Sequence, residues 1–440
     1  MRLRRVVLAE LGAAERAALV RRSAGLGVDV RAAAREIVES VRRGGDAAVR
    51  AANARFGGGL PGSADGGPAP LRLDPARLAD AAEALPRDVR DGLETMIRHI
   101  ERFHAAQVPP AEQWVDVAPG IRVGRAWRPL ARPAAYVPGG EAAYPSTLVM
   151  CAVPARLAGT GPLVVASPAG RHGTLSPTLL GTAGLLGIEE FHVMGGAQAI
   201  AALAVGTETV APVDKIVGPG NAWVTAAKLE VVGEVEIDMP AGPSEVMVLA
   251  DGSADPGHVA ADLLSQAEHG PDSPAVLVTP DAALADRVER EIARRLPTLE
   301  RQAHLRASLG SAGSIVVTSS LDEAIDFANE YAPEHLSVVV ADLDAAAARI
   351  RNAGSVFLGP WAPESAGDYA AGGNHVLPTG RLARARGPLA VEDFGHWVQF
   401  QRLDLAGLAS IAPAVAALAE AEGLVAHRRA VEARFEEPSA

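Results

Sequence analysis

Cysteine is almost absent: Cys151 is the single thiol in 440 residues, and it sits in an apolar run. One thiol excludes an intrachain disulfide and a thiolate-based zinc cluster. It fits a small buried hydrophobe. Aromatic residues make up only 4% of the chain, and much of the apolar content is alanine. No stretch of about 18 apolar residues runs free of proline or charge, so no membrane span is expected. The apolar stretch at residues 6–8 is too short for a signal-peptide core, and Glu10 interrupts it. A soluble cytoplasmic protein is therefore the expectation. The formal net charge of -12 argues against a general nucleic-acid surface. Two nucleotide and nucleophile signatures are also missing, Gly-x-x-x-x-Gly-Lys-Ser/Thr and Gly-x-Ser-x-Gly, and Gly-x-Gly-x-x-Gly falls at no strand-to-helix turn, occurring only at 57–62 in a Gly/Pro-rich stretch after a helical pattern. Any nucleotide bound here must rest on other turns.

What is present reads as a globular chain of more than one domain. At 440 residues it is too long for one ordinary core, and 48% hydrophobic with 21% charged content is not that of a disordered protein. Apolar residues recur at helical spacing over residues 31–53 and 75–107, and a Gly/Pro-rich stretch at 57–70 reads as a loop. Residues 121–137 read as extended. The middle alternates strand and helix: strands at 163–167, 191–194 and 215–217, helices at 175–186, 197–204 and 222–229. A second set of strands is expected at 246–249, 275–278, 314–317 and 337–340. Strand, crossover helix and strand at this pitch predict parallel doubly wound sheets. Ligands in such sheets bind at the strand C-terminal ends, where Gly195-Gly196 and Gly218-Pro219-Gly220-Asn221 fall. Residues 405–420 and 425–434 read as two final helices, too small a body to stand alone.

Several segments concentrate chemically capable residues. Leu-Leu-Ser-Gln-Ala-Glu-His-Gly at 263–270 places Gln266 and His269 three apart at a helix end, on one face. Imidazole is the commonest metal nitrogen ligand. The pair reads either as half of an N/O metal site or as a solvated His favoured by a helix C-terminus. In Ala332-Pro333-Glu334-His335, Pro333 suits the first turn of a new helix. Glu and His in adjacent positions suit proton transfer, but on an extended strand they would point to opposite faces. Their joint action thus needs a turn or a helix start. Asp368 sits among small residues in Glu364-Ser365-Ala366-Gly367-Asp368-Tyr369, as a hard ligand or a turn residue. His427 on the last helix reads by itself as a packing or surface residue. Asp238-Met239-Pro240-Ala241-Gly242-Pro243-Ser244-Glu245 is a stiffened turn entering a strand.

Taken together and in this order, the runs at 136–140, 218–221, 238–245, 265–270, 332–336 and 374–379 make the chain resemble the histidinol dehydrogenase family, over about residues 30 to 435. The resemblance implies two incomplete Rossmann-like doubly wound α/β domains of similar topology plus a small helical C-terminal arm. Residues 131–244 would form the NAD-binding domain. Residues 31–130 with 245–385 would carry most zinc and catalytic residues. Residues 1–30 would form an N-terminal helical segment, and 386–440 a dimerisation arm. The family oxidises L-histidinol to L-histidine through the aldehyde, with two NAD+ and one Zn2+ per subunit, as a homodimer with shared sites. By motif match the zinc ligands are Gln266, His269, Asp368 and His427, the last reaching a partner subunit's site. His335 is the base for the hydroxyl proton, and Glu334 activates water. Tyr136, Gln198 and Asn221 match NAD+ contacts. Ser244, Glu364, His375 and Glu422 match substrate contacts, as do the zinc ligands and His335. Neither a membrane nor a nucleic acid is implied as a partner. A zinc hydrolase using Glu334 on metal-bound water, an imidazole-binding paralogue without catalysis, and oxidation of a related imidazole amino alcohol by the same residues are the rival readings.

Overall fold

In the computed structural model, which describes residues 3–22, 27–62, 67–139, 144–170 and 173–436, the chain opens with strand β1 (Arg4–Val7) and helix α1 (Ala13–Val20). Three helices follow: α2 (Val28–Phe56), α3 (Pro75–Glu83) and α4 (Arg87–His104). A hairpin of β2 (Glu112–Ala118) and β3 (Ile121–Pro129) comes next. The first alternation is β4 (Pro133–Tyr136), α5 (Pro145–Ala158), β5 (Val164–Ser167), α6 (Pro177–Leu185), β6 (Glu190–Val193), α7 (Gly196–Val205), β7 (Lys215–Val217), α8 (Ala222–Val231) and β8 (Glu236–Ile237). The second is β9 (Val246–Ala250), α9 (Pro256–Ala267), β10 (Ala275–Thr279), α10 (Ala282–Arg295), α11 (Gln302–Ser311), β11 (Ser314–Val317), α12 (Leu321–Tyr331), β12 (His335–Val339), α13 (Leu343–Ala347), β13 (Ser355–Leu358) and α14 (Glu364–Tyr369). The chain closes with β14 (Gly395–Leu403), α15 (Leu405–Ala421) and α16 (Val425–Glu432). Gly140 and residues 63–66 of the Gly/Pro-rich loop lie outside the described residues.

Two units result: Met1–Gln107 with Leu130–Phe394, and Val108–Pro129 with Gly395–Ala440. The larger one holds two all-parallel sheets. One runs β6-β5-β4-β7-β8 and the other β1-β11-β10-β9-β12-β13. Counting strands within each alternation, both have the order 3-2-1-4-5, with β1 added at the outer edge of the second. This is the doubly wound topology expected, and the strand order reverses beside β4 and beside β9. The inner strands are buried on both faces, which is why they read as unbroken apolar runs. Apolar clusters cover both faces of each sheet. Residues from α3 to α6 cover one face of the first sheet, and α2, α7 and α8 the other. Residues from α9 to α11 cover one face of the second sheet, and α1, α12 and α13 the other. Cys151 is buried in α5, as its apolar setting suggested.

Several expectations need correction. The N-terminal segment is not only helical, because β1 pairs in parallel with β11. A strand of four residues carries too little pattern to be legible, and its partner lies some three hundred positions away. Helix 75–107 is broken at Pro86, which caps α4. Helices α2 to α4, grouped from the sequence with 245–385, instead pack on the first sheet, where Val38, Val41 and Val49 join Ile200 and Leu203, and Met96 and Ile100 join Leu148 and Phe191. In the smaller unit the C-terminal segment is more than helices. β14 pairs antiparallel with β3 along nine residues, and β3 with β2.

Candidate active site

Local turns bring Glu334 and His335, the expected acid–base residues, together. Helix α12 ends at Ala332, which is left-handed at φ 51 and ψ 66. A non-glycine residue there stores strain of the kind held at functional sites. Pro333 then directs the chain into β12, which begins at His335 rather than at Ser337, and no helix starts at Pro333. Despite the strand, Glu334 Oε2 lies 3.6 Å from His335 Nδ1, because Glu334 precedes the regular strand. The Ser244 hydroxyl and the Glu245 N–H donate to Glu334 Oε2 at 2.7 and 2.8 Å. His335 Nδ1 bonds the Glu245 carbonyl at 3.1 Å. A carbonyl only accepts, so Nδ1 carries the proton and the lone pair sits on Nε2. Phe357 of β13 stacks on the imidazole, with ring centres 6.0 Å apart.

The helices supply the rest. Glu364 and Asp368 lie one turn apart on α14, so they share a face. Glu364 Oε1 is 3.5 Å from His335 Nδ1, and Asp368 Oδ1 is 3.7 Å from His335 Nε2. Gln266 lies in the last turn of α9. His269 does not share its face, as the spacing suggested, because the helix ends at Ala267 and a tight turn closes His269 N onto Gln266 O at 3.1 Å. Even so, ligand atoms of His269, Glu364 and Asp368 lie within 4.8 Å of one another. Both amide atoms of Gln266, both carboxylate oxygens of Glu364 and His335 Nε2 are buried without a hydrogen-bond partner. Buried polar atoms are nearly always satisfied, so this group has the makings of a binding centre for a cation with N/O ligands. The donor set fits Zn2+, and among the three grouped ligands Glu364 was expected only at the substrate. His375 stands behind it, with Nδ1 donating to the Asp368 carbonyl at 2.9 Å and Nε2 accepting from the Thr147 hydroxyl at 3.1 Å.

Burial dominates the electrostatics. It raises Glu334 and Glu364 well above the usual carboxylate range, in Glu364 with help from the neighbouring carboxylates. It lifts Asp368 to about 6. It lowers His335 to about 3 and His375 to about 4, so both imidazoles are neutral. Asp262, one turn before Gln266 on α9, is also lifted to about 6 and accepts from the Ser337 hydroxyl at 3.3 Å. The four-residue spacing to Gln266 was the available signal for it. Glu245 and Thr147 were also not singled out, since they act through a backbone and a distant contact.

The expected dinucleotide residues sit elsewhere in the same unit, at the C-terminal ends of the first sheet. Tyr136 ends β4, buried, and its hydroxyl accepts from Gly196 N at 3.1 Å. Gln198 Nε2 donates to Asn53 Oδ1 of α2 at 3.0 Å. Asn221 caps α8 by accepting from Trp223 N and Val224 N. Gly218, at φ 103, has no room for a Cβ against the Tyr136 carbonyl. Gly58 packs on Pro168 and Gly195, and its carbonyl accepts from Ala169 N at 2.9 Å. Gly58, near the start of the Gly/Pro-rich stretch read from the sequence as a loop, thus lies against these turns. The low side-chain bulk and close backbones here fit a nucleotide floor. Glu422 and His427 belong to the smaller unit, at the end of α15 and on α16, and both are exposed.

Comparison with known proteins gives consistent results. The sequence profile of the family described as histidinol dehydrogenase matches residues 20–435. A histidinol dehydrogenase of Halobacterium salinarum is 46% identical over 98% of this chain and 99% of its own length. One of Moorella thermoacetica is 47% identical over 92% of this chain and 95% of its own. The crystal structure of histidinol dehydrogenase from Elizabethkingia anophelis superimposes with a TM-score of 0.91, at 35% identity, covering 98% of each chain.

Proposed function

Because the chain belongs to the histidinol dehydrogenase family, we propose that it is the oxidoreductase of histidine biosynthesis that converts L-histidinol to L-histidine through L-histidinal, reducing two NAD+. The observation that carries this reading is the convergence of Glu334, His335, Glu364, Asp368 and His269 around unsatisfied buried atoms. Gln266, His269 and Asp368 would hold zinc, with His427 from a second copy. When bound, zinc supplies a Lewis-acid anchor for the substrate's nitrogen and oxygen atoms. NAD+ supplies the hydride acceptor, on a floor formed near Tyr136, Gln198 and Asn221.

His335 is neutral, with its lone pair on Nε2, and takes the hydroxyl proton as hydride leaves the carbinol carbon. That step yields the aldehyde. Glu334, as the carboxylate made more basic by burial, takes a proton from water as the water oxygen adds to the aldehyde carbon, and that proton passes to the former carbonyl oxygen to complete the hydrate. The hydrate then loses a second hydride and its hydroxyl proton to give the acid. Two hydrides and two protons leave and one water is consumed, a balanced four-electron oxidation. Ser244 orients Glu334 through its 2.7 Å bond and would also contact the substrate. Glu364, His375 and Glu422 would complete the substrate contacts. A homodimer accords with α15, whose Leu405 and Leu418 are exposed in the single chain. The expected cytoplasmic setting accords with a biosynthetic role, and no helix among the described residues is long and apolar enough to cross a membrane.

The test is NADH formation from limiting L-histidinol. Two NADH per histidinol, abolished by a chelator and restored by zinc, is the expected outcome. Activity on an ester or amide without NAD+ would favour a hydrolase. Folded, zinc-loaded protein that forms no NADH would refute the assignment.

A further inference from the structure

Residue 245 touches both members of the acid–base pair through its backbone. Its N–H donates to Glu334 Oε2 at 2.8 Å, and its carbonyl accepts from His335 Nδ1 at 3.1 Å and from His335 N at 3.2 Å. The side chain points to a different partner. Its carboxylate, 2% exposed, is gripped by Arg22, with Nε to Oε2 at 2.6 Å and Nη2 to Oε1 at 2.9 Å. Gly380 N adds a bond to Oε1 at 3.2 Å. The same Arg22 Nη2 donates to the Tyr331 carbonyl at 3.0 Å, Nη1 donates to the Val20 carbonyl at 3.1 Å, and the guanidinium lies 3.2 Å from the Tyr331 ring centre. Tyr331 is the last residue of α12, four positions before His335. One side chain from the N-terminal segment therefore ties the turn that enters β9 to the turn that enters β12.

We propose that Arg22 and Glu245 form a positioning clamp for the acid–base pair. It sets the direction in which Glu334 presents its free oxygen and keeps the proton of His335 on Nδ1, leaving Nε2 as the accepting atom. The clamp's function rests on the roles proposed for Glu334 and His335. A planar fork held bidentate by a carboxylate fixes angle as well as distance, which a lysine ammonium does not. Neither residue touches the grouped ligands His269, Glu364 and Asp368 in the described contacts. Because the two peptide groups flanking one α-carbon serve both members of the pair, loosening residue 245 should affect both oxidations alike. Removing Glu334 or His335 themselves should not.

The experiment compares Arg22→Met, Arg22→Lys and Glu245→Gln with His335→Ala and Glu334→Gln in the full-length zinc-loaded enzyme. Histidinol and histidinal oxidation are followed separately, with KM for each, zinc content and thermal unfolding. Arg22→Met and Glu245→Gln should lower kcat of both oxidations by one common factor, roughly tenfold to hundredfold, as loss of an outer-shell partner does. KM and zinc content should hold, and Arg22→Lys should fall between. Wild-type kcat in the clamp variants, or loss confined to one oxidation, or kcat lost only together with zinc and KM, would overturn the clamp. If Arg22→Met does not fold, Arg22→Lys and Glu245→Gln decide the matter by the same criteria. If His335→Ala and Glu334→Gln show no difference between stages, the pair's roles fail and the clamp fails with them. Selective loss there beside unaffected clamp variants refutes the clamp alone.

Discussion

Lys228 and Asp238 offer a quantitative test of how the Gly218–Asn221 turn is held. Both side chains are 2% exposed and meet at 2.6 Å. Lys228 Nζ also donates to the Gly218 carbonyl at 2.6 Å. Asp238 accepts from Gly218 N at 2.7 Å and from Met239 N at 2.6 Å. Lys228→Met keeps most of the aliphatic volume but leaves a carboxylate buried without its counter-charge and a carbonyl without its donor. Breaking one side of such a pair costs about 3–5 kcal/mol. The double variant Lys228→Met/Asp238→Asn removes both charges. It should recover part of that loss, with a coupling of about 1–3 kcal/mol in the cycle. Urea unfolding of the two single variants and the double variant measures these terms. Because the pair holds Gly218 from both its N–H and its carbonyl, Lys228→Met should also raise KM for NAD+ more than KM for histidinol. A stability loss under about 1 kcal/mol, the level of an exposed pair, or strict additivity in the cycle would refute the reasoning.

Mixing inactive His427→Ala and His335→Ala dimers should restore activity after subunit exchange, since one intact site forms per heterodimer; no recovery despite demonstrated exchange would mean that His427 serves its own subunit. Asp46→Asn should destabilise most at neutral pH. Burial acts to raise the Asp46 pKa, but hydrogen bonds from Thr207 and Thr209 and the charge of Arg50 outweigh it and hold it below 3.8. A depressed folded pKa gives stability that is complete above the unfolded value and is lost as pH falls through the folded one. The gap between wild type and Asn variant in urea unfolding should therefore shrink as pH drops below 3.8, and a gap that widens would reverse the sign. Burial pushes the Cys151 thiol up. Thiol reagents should therefore label it only as the chain unfolds, and rapid labelling of native enzyme would contradict its burial.

The strand and helix alternation was legible because each inner strand is buried on both faces and each crossover is short. Val164–Ser167, Lys215–Val217 and Ser314–Val317 fall within a residue of the apolar runs that mark them. What escaped was long-range pairing. β1 and β14 gain order from partners far along the chain, and short or alternating strands carry little pattern of their own. The candidate site was legible as motifs, through resemblance, and less so as geometry. Nothing in Ala332-Pro333 announces a left-handed alanine that brings Glu334 beside His335. Arg22 and Glu245 act across more than two hundred positions, which no local spacing can show.

The proposed acid–base set does not lie where doubly wound sheets usually place ligands. Ser244, Glu245, Glu334 and His335 sit at the strand N-terminal ends of the second sheet, and Gln266 joins them because α9 runs antiparallel to the strands. Chain connectivity accounts for this. The first sheet ends at β8, at the same strand ends where Gly218 and Tyr136 lie, and eight residues, 238–245, lead directly into the start of β9. That run is anchored at Asp238 by Lys228 and Gly218 N. It is anchored again where the Ala241 carbonyl accepts from Thr225 at 2.7 Å and Gly242 N donates to Thr379 Oγ1 at 2.6 Å, and finally at Ser244 and Glu245 by Glu334. Pro240 and Pro243 restrict the backbone between the anchors. A fixed strut of this kind carries the C-terminal edge of one sheet to the N-terminal edge of the other, so the proposed dinucleotide floor and the proposed acid–base pair rest on two sheets of the same order used from opposite ends.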